Sequence, residues 1–286
     1  MYEAHFRLRE KPFSMLPDPS FIFWGERYSL AYTMLEYGVM HQAGFTVITG
    51  EVGCGKTTLI RHLLAQVSDR LTIGLLSNTQ FPPGELMRWV LMAFDQNFDQ
   101  SSNIGVFRDF QNFLIAQYAK GRQTVLIVDE AQNLSPQALE ELRMLSNINA
   151  DKDSLLQIVL AGQPELRATL QKPELRQFVQ RVASEFHVDP LEPTDVHHYI
   201  SHRLQVAGCP IALFSRKASA LVAEATGGVP RRINLLCDTA LVYGFAKGAQ
   251  YISSKLLESV LADKQKFGVF RQGEGNAGSG ASLDGR

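Results

Sequence analysis

A glycine-rich loop between two apolar segments is the feature that most constrains the fold of this 286-residue chain. Residues 50–58 match the pattern G-x-x-x-x-G-K-[ST], whose backbone N–H groups cradle the phosphates of a nucleotide. Residues 45–49 are typical of a buried strand, and residues 59–64 are typical of a helix. A strand, a loop and a helix in this order predict an α/β fold with a parallel sheet.

The residue types in this loop suit the binding of phosphate groups. Glycines at positions 50, 53 and 55 let successive backbone N–H groups approach an anion closely. Lys56 is predicted to reach the β- and γ-phosphates, and Thr57 is predicted to give its hydroxyl to Mg²⁺. The predicted nucleotide-binding residues of the loop are Gly50, Glu51, Val52, Gly53, Cys54, Gly55, Lys56, Thr57 and Thr58.

A second apolar run, residues 124–128, ends in Asp129 and Glu130. This pattern predicts a strand buried on both faces, with two carboxylates at the edge of the sheet where ligands bind. Asp129 is predicted to take the outer-shell role at the Mg²⁺ that Thr57 binds, and Glu130 to act as base or positioner for the attacking water. Acids after a strand can instead cap the next helix, but Ser135, followed by a proline, already suits that position.

A third predicted strand, residues 155–160, ends near Gln163. A polar side chain there is placed between the two motifs, where it is predicted to touch the γ-phosphate or the water. The alternative is a turn glutamine without a role in chemistry.

The composition is that of a globular chain: 45% of the residues are hydrophobic and 20% are charged. There is no run of about 18 apolar residues and no charged-then-apolar pattern at the N-terminus, so we expect a cytoplasmic protein without direct membrane insertion. The formal net charge of −1 gives no general attraction to nucleic acid.

The cysteines predict a reduced state, because three of them stand far apart without a pairing motif. Cys54 lies in the phosphate loop near a helix N-terminus, a position that lowers the pKa of a thiol. Redox control of nucleotide binding is one hypothesis for it. A small residue tolerated at a variable position is the other.

Several short segments occur together in this chain. They are Pro12-Phe13 with the downstream Pro17-Asp18-Pro19, Glu36-Tyr37-Gly38, the loop at 50–58, Asp129-Glu130-Ala131-Gln132, residues 160–166 (Leu-Ala-Gly-Gln-Pro-Glu-Leu) and residues 228–234 (Gly-Val-Pro-Arg-Arg-Ile-Asn). Together they resemble the general secretion pathway A (ExeA-like) family of AAA+ ATPases. Relatives include ATPases linked to type II secretion, MSHA-type pili and exopolysaccharide or PEP-CTERM export loci. The resemblance implies ATP and Mg²⁺ as cofactors and ATP hydrolysis as the reaction.

The resemblance also implies roles for residues distant from the loop. Gln163 would be the first sensor of the γ-phosphate, and Arg231 the second, with Arg232 as the alternative. Arg181 would be the arginine finger given to a neighbouring subunit, with Arg176 as its rival.

The resemblance implies a three-layer αβα P-loop domain followed by an all-helical lid. The expected organisation is an N-terminal arm and helix on the nucleotide site (1–44), the ATPase core (45–190), the helical lid (191–266) and a disordered Gly-rich tail (267–286). Phe21, Phe23 and Tyr28 could form an apolar wall beside the adenine, although core packing explains any one of them equally well.

The favoured function is an ATPase that forms a ring or dimer and supports assembly or operation of a bacterial envelope export system. Partners in that system would hold it at the inner membrane. A DNA-binding, ATP-dependent transposition regulator is the first alternative, and a slow ATP-dependent conformational switch is the second. Nucleic acid is the less favoured partner because the net charge is close to zero.

Overall fold

The computed structural model describes residues 1–16, 18–40, 44–67, 70–77, 79–96, 103–150, 153–209 and 211–267. The tail predicted to be disordered lies outside the described residues from position 268 onward. The chain divides into two compact units. The sheet unit contains residues 15–191 and 228–232, and the helical unit contains residues 1–14, 192–227 and the chain from Ile233 onward.

The structure contains seven strands and twelve α-helices within the described residues. The strands are β1 (Phe45–Gly50), β2 (Leu71–Leu76), β3 (Gln123–Val128), β4 (Asn149–Ala150), β5 (Asp153–Ser154), β6 (Leu156–Gly162) and β7 (Val182–Val188). The helices are α1 (Tyr2–His5), α2 (Glu26–Met40), α3 (Lys56–Val67), α4 (Leu86–Ala93), α5 (Asn103–Ala119), α6 (Pro136–Leu145), α7 (Pro164–Leu170), α8 (Arg176–Val179), α9 (Pro193–Val206), α10 (Arg216–Thr226), α11 (Pro230–Ala246) and α12 (Ser254–Phe267).

Five strands form one parallel sheet in the order β2-β3-β6-β1-β7. Every residue of β1 and β6 is buried, as expected for inner strands covered on both faces. The predicted parallel α/β fold with a helical C-terminal region is therefore confirmed. The antiparallel pair β4–β5 was not predicted, because two-residue strands leave no periodicity in a sequence.

Helices cover both faces of the sheet and produce three layers. Helices α4 to α8 contribute to an apolar core on one face, and α2 and α3 contribute to a core on the other. The predicted start of α6 is confirmed, because the Ser135 hydroxyl accepts a hydrogen bond from the N–H of Ala138 at 3.1 Å and Pro136 opens the helix.

Helix α2 is fixed to the sheet by polar side chains as well as by apolar contacts. The Ser184 hydroxyl donates to the Met34 carbonyl at 2.9 Å, and the Gln157 amide donates to the Gly38 carbonyl. Gly38 lies directly over Thr46 of β1, where a Cβ would stand 2.1 Å from the Thr46 Oγ1. The absence of a side chain at position 38 lets the helix reach the sheet.

The helical unit has its own core and includes the first residues of the chain. The buried side chain of Arg203 donates to the Pro12 carbonyl and, at 3.1 Å, to the Tyr199 hydroxyl. Phe13 and Phe214 meet edge to face with ring centroids 6.0 Å apart. These contacts join residues 1–14 to α9 and the segment before α10.

None of the described helices combines the length and apolar character needed to cross a lipid bilayer.

A substitution of Gly38→Ala tests the close approach of α2 to the sheet. Alanine favours helix by about 1 kcal/mol, but the added methyl must displace a short buried side chain, which costs about 1–3 kcal/mol. We expect the overlap to dominate and the free energy of unfolding to fall by about 1–2 kcal/mol. Urea denaturation followed by circular dichroism measures this change.

The double variant Gly38→Ala/Thr46→Ala is the matched control. The buried Thr46 hydroxyl has no hydrogen-bond partner among the described residues, so its removal costs little. The double variant should recover the parental stability. A single Gly38→Ala variant as stable as the parent would show that the helix does not depend on this contact.

Candidate functional site

The phosphate loop begins at the carboxyl end of β1 and ends where α3 starts. Gly53 and Gly55 have φ values of +87° and +96°, which few residues other than glycine adopt. A Cβ at Gly53 would lie 2.4 Å from the Cβ of Arg231, and a Cβ at Gly55 would lie 3.0 Å from the Tyr28 hydroxyl. The positive φ values and the lack of space for a Cβ both require glycine at these positions. Glycine at such positions is typical of a backbone cradle for phosphate.

Lys56 is held inside the loop by backbone oxygens. Its side chain is buried, and Nζ donates to the carbonyls of Gly50 at 2.7 Å and Glu51 at 3.1 Å. Burial lowers the pKa of Lys56, since removal from water disfavours the charged form. An anion near Nζ would offset this cost, so the site suits the phosphate predicted from the sequence.

Thr57 and Asp129 meet across the site, as the sequence predicted. The Thr57 hydroxyl donates to Oδ2 of Asp129 at 2.9 Å, and Oδ1 accepts from the Glu130 N–H at 3.0 Å. A hydroxyl and a carboxylate are hard oxygen ligands of the kind Mg²⁺ prefers. No group of three or more His, Cys, Asp or Glu within the described residues could hold a metal ion alone. Mg²⁺ here would therefore rely on nucleotide oxygens as well, which is its usual mode of binding.

Glu130 has an unusual backbone conformation immediately after β3. Its φ of +54° and ψ of +37° are left-handed, a region that non-glycine residues rarely adopt. The Thr79 hydroxyl donates to the Glu130 carbonyl at 3.1 Å and in turn accepts from the Asn133 amide at 3.3 Å. These bonds fix the turn that carries the carboxylate.

Two glutamine side chains contact the Glu130 carboxylate. Gln163, at the end of β6, donates from Nε2 to Oε2 at 3.2 Å, and Gln132 donates to the same oxygen at 2.6 Å. The structure therefore brings Gln163 to Glu130, and its predicted contact with the γ-phosphate or the water stays a prediction. The contact between Gln132 and Glu130 was not predicted, although Gln132 belongs to the motif Asp129-Glu130-Ala131-Gln132.

Arg231 also reaches the phosphate loop. Its N–H donates to the Gly53 carbonyl at 3.2 Å, and the stem of its side chain packs on that glycine. Arg231 and the alternative, Arg232, are both exposed. The Arg231 guanidinium therefore extends from a stem that is anchored beside the loop.

Arg181 lies at the amino ends of the strands, and the phosphate loop lies at their carboxyl ends. Its carbonyl accepts from the Phe45 N–H at 3.1 Å, at the start of β1, while the loop begins at the other end of that strand. Five residue steps along β1 separate the two positions by roughly 17 Å at about 3.3 Å per residue. Arg181 and Arg176 are both exposed, and the distance along β1 keeps Arg181 away from the phosphate loop of its own chain.

The three aromatic residues predicted to line the adenine site lie in different environments. Phe21 is buried in the core, and Phe23 is half-buried. The Tyr28 hydroxyl donates to the Gly55 carbonyl at 2.9 Å, so this residue supports the phosphate loop through a polar contact that was not predicted.

The expectation of a low thiol pKa at Cys54 was wrong. Cys54 is buried, and burial raises the pKa of its thiol to about 11. The desolvation cost of a thiolate outweighs the nearby helix N-terminus and Lys56. The structure favours a small, inert core residue over a redox control point.

Comparison with known proteins identifies the family. Residues 39–170 match the model of the AAA domain family. The chain is 41% identical over 253 residues to general secretion pathway protein A of Aeromonas hydrophila, covering 88% of this chain and 46% of that protein. This chain belongs to the general secretion pathway A family of AAA+ proteins. It spans about half the length of the Aeromonas relative.

Solved structures place the same fold in more distant proteins. The ORC2 protein of Aeropyrum pernix, in its ADPNP–ADP complexes, has a TM-score of 0.64 at 16% identity, over 89% of this chain and 71% of that one. The RuvB Holliday junction branch migration motor of Thermotoga maritima has a TM-score of 0.57 at 14% identity, over 87% and 72%. These similarities show that the AAA+ P-loop fold is shared.

Thiol reactivity tests the environment of the cysteines. Cys54 and Cys237 are buried with raised pKa values, whereas Cys209 is partly exposed. In the native protein at pH 8, Ellman's reagent should label Cys209 rapidly and Cys54 and Cys237 at least about 100-fold more slowly. In denaturant all three should react at similar rates. Rapid labelling of Cys54 in the native state, located by peptide mass analysis, would contradict its buried position.

Proposed function

We propose that this chain binds Mg·ATP and hydrolyses the bond between the β- and γ-phosphates. The hydrogen bond between Thr57 and Asp129 is the observation that carries the proposal. It joins the phosphate loop to the end of β3, which supports a site that Lys56 and Glu130 share. Phosphate binding, metal binding and water activation each have a residue of suitable chemistry there.

The loop residues bind and orient the nucleotide in this proposal. Backbone N–H groups between Gly50 and Thr58 cradle the phosphates, and Lys56 moves its ammonium from the loop carbonyls to the phosphate oxygens. Thr57 and Asp129 hold Mg²⁺, which when bound supplies charge neutralisation on the phosphate oxygens. Because these residues already meet, little reorganisation is required on binding.

Glu130 receives the proton of the attacking water. Its carboxylate stands next to Asp129 at the end of β3 and is fixed by amide donors, which keeps it oriented toward a water in line with the γ-phosphate. Gln163 and Arg231 would respond to the γ-phosphate from opposite sides. Loss of that phosphate would release both contacts and report that hydrolysis has occurred.

Arg181 completes the site of a neighbouring copy. It is exposed at the edge of the sheet opposite the loop, so head-to-tail packing of subunits would bring it to the next nucleotide. A guanidinium there stabilises charge on the transferring phosphoryl group. We therefore propose a ring or a dimer as the active form.

An envelope export system is the proposed context for this ATPase. The support is the 41% identity to the Aeromonas protein, whose name assigns it to general secretion. The net charge of −1 supplies no general attraction to nucleic acid and favours protein partners. Dependence on ATP places the protein on the cytoplasmic side, where export components would hold it near the inner membrane.

The Glu130→Gln variant tests the reaction. Glutamine keeps the shape of the side chain but cannot accept the proton, so turnover should fall by about 10²–10⁴-fold. ATP should still bind with parental affinity. Phosphate release and equilibrium binding of a fluorescent ATP analogue measure the two quantities.

Two further variants make this test decisive. Lys56→Ala should lose ATP binding itself, and Glu258→Gln, an exposed change in the helical unit, should behave as the parent. Parental ATP affinity in Lys56→Ala would refute the proposed nucleotide site. Turnover near the parental rate in Glu130→Gln would remove Glu130 from the reaction.

The Arg181→Ala variant tests the proposed finger. ATP binding should persist while turnover falls by about 10³-fold, because the transition-state charge loses its partner. Mixing Arg181→Ala with Lys56→Ala should restore part of the activity, since each variant supplies what the other lacks at a shared interface. Steady-state phosphate release over a range of mixing ratios measures the rescue.

Arg176→Ala is the comparison variant, because Arg176 is exposed near the same edge of the sheet. It should keep parental turnover. If Arg176→Ala loses activity and Arg181→Ala does not, the finger is Arg176. An absence of rescue at every mixing ratio would argue that hydrolysis does not require a finger from another subunit.

A further inference from the structure

We propose that Gln132 is a positioning residue that holds the Glu130 carboxylate for reaction with water. The inference rests on the proposed ATP hydrolysis and adds a residue to it. Gln132 lies two positions after Glu130, in the 3₁₀ turn Ala131–Asn133 that follows the left-handed residue. The turn directs its side chain back toward the carboxylate, and Nε2 donates to Oε2 at 2.6 Å.

The other end of the Gln132 amide fixes its orientation. Oε1 accepts from the backbone N–H of Gln163 at 3.0 Å. That N–H can only donate, so the amide oxygen must face it, which leaves the NH₂ group to face Glu130. The Gln132 side chain therefore links the carboxylate at the end of β3 to the backbone at the end of β6.

Gly162 provides the space for this link. A Cβ at that position would lie 3.1 Å from Gln132 Oε1 and 2.8 Å from the Leu166 side chain. Gln132 is itself half-buried, so the link is partly shielded from water. The contact is built into the packing of the turn against the start of α7.

Gln132 and Gln163 would have different functions at Glu130. Both donate to Oε2, and within the described residues these are the hydrogen bonds of the carboxylate, which leaves Oε1 for the attacking water. Gln163 has an alternative acceptor when a γ-phosphate is present. Gln132, held by the backbone, keeps Glu130 in place after Gln163 has turned away.

The Gln132→Met variant removes both hydrogen bonds while preserving length and neutrality. We expect kcat for ATP to fall by about 10-fold, with KM and the dissociation constant for ATP within about twofold of the parent, because Gln132 acts through Glu130 and not on the nucleotide. Gln137→Met, an exposed glutamine on α6, is the matched control and should leave all three values unchanged.

The Gln132→Glu variant gives a readout that a purely structural role would not move. Glutamate keeps the length of the side chain and can still accept the hydrogen bond from the Gln163 N–H, but a carboxylate cannot donate to Glu130 Oε2. If donation to Glu130 is what matters, kcat should fall by about 10-fold or more, with KM within about twofold of the parent.

The outcomes separate failure of this inference from failure of the proposed function. A parent protein no faster than Lys56→Ala would overturn ATP hydrolysis and the role of Gln132 together. An active parent with parental kcat in Gln132→Met would overturn the positioning role alone. A Gln132→Met variant with weakened ATP binding, or a parental kcat in Gln132→Glu, would reduce Gln132 to a structural residue.

Discussion

The parallel register of β1, β3 and β6 is the constraint on which the candidate site depends. Val128 pairs with Leu160 and Thr49 pairs with Gly162, so the three strands end within a few residues of one another. A phosphate loop, a pair of carboxylates and a polar glutamine follow them directly. Three segments that are distant in the chain therefore meet without any long side chain having to reach. The apolar cores on both faces hold this register, since a shift of one residue would turn every side chain to the opposite face and disrupt the packing of both cores.

Helix α2 contacts both the sheet and the phosphate loop. The carbonyls of Met34 and Gly38 accept side-chain hydrogen bonds from β7 and β6, and Tyr28, near the start of the same helix, donates to the carbonyl of Gly55. The Gly55 carbonyl also accepts the first hydrogen bond of α3, from Leu59. One peptide unit of the phosphate loop is thus held from two helices. The loop is preorganised by its surroundings, which reduces the conformational entropy lost when a nucleotide binds.

Local sequence patterns were sufficient for the parts of the site that depend on strand ends. Thr57, Asp129 and Gln163 could be located because a motif or a buried strand fixes where each one stands. The same patterns gave no account of Gln132, whose contact requires the left-handed conformation of Glu130 and the space at Gly162. Burial of Cys54 could not be predicted either, because the layers that cover the loop determine it and the neighbouring residues do not. The proposed contact of Arg181 with a neighbouring copy depends on assembly, and local sequence patterns do not reveal assembly.

The conformation of Glu130 places stability and the proposed hydrolysis in opposition at one position. A left-handed backbone costs a glutamate about 1–2 kcal/mol, and glycine would avoid this cost entirely. Glutamate at this position therefore lowers the free energy of unfolding by a sizeable fraction, because that free energy is small for any domain. A laboratory selection for thermal stability alone would therefore tend to replace this carboxylate, and the most stable variants would be those that had lost the proposed base.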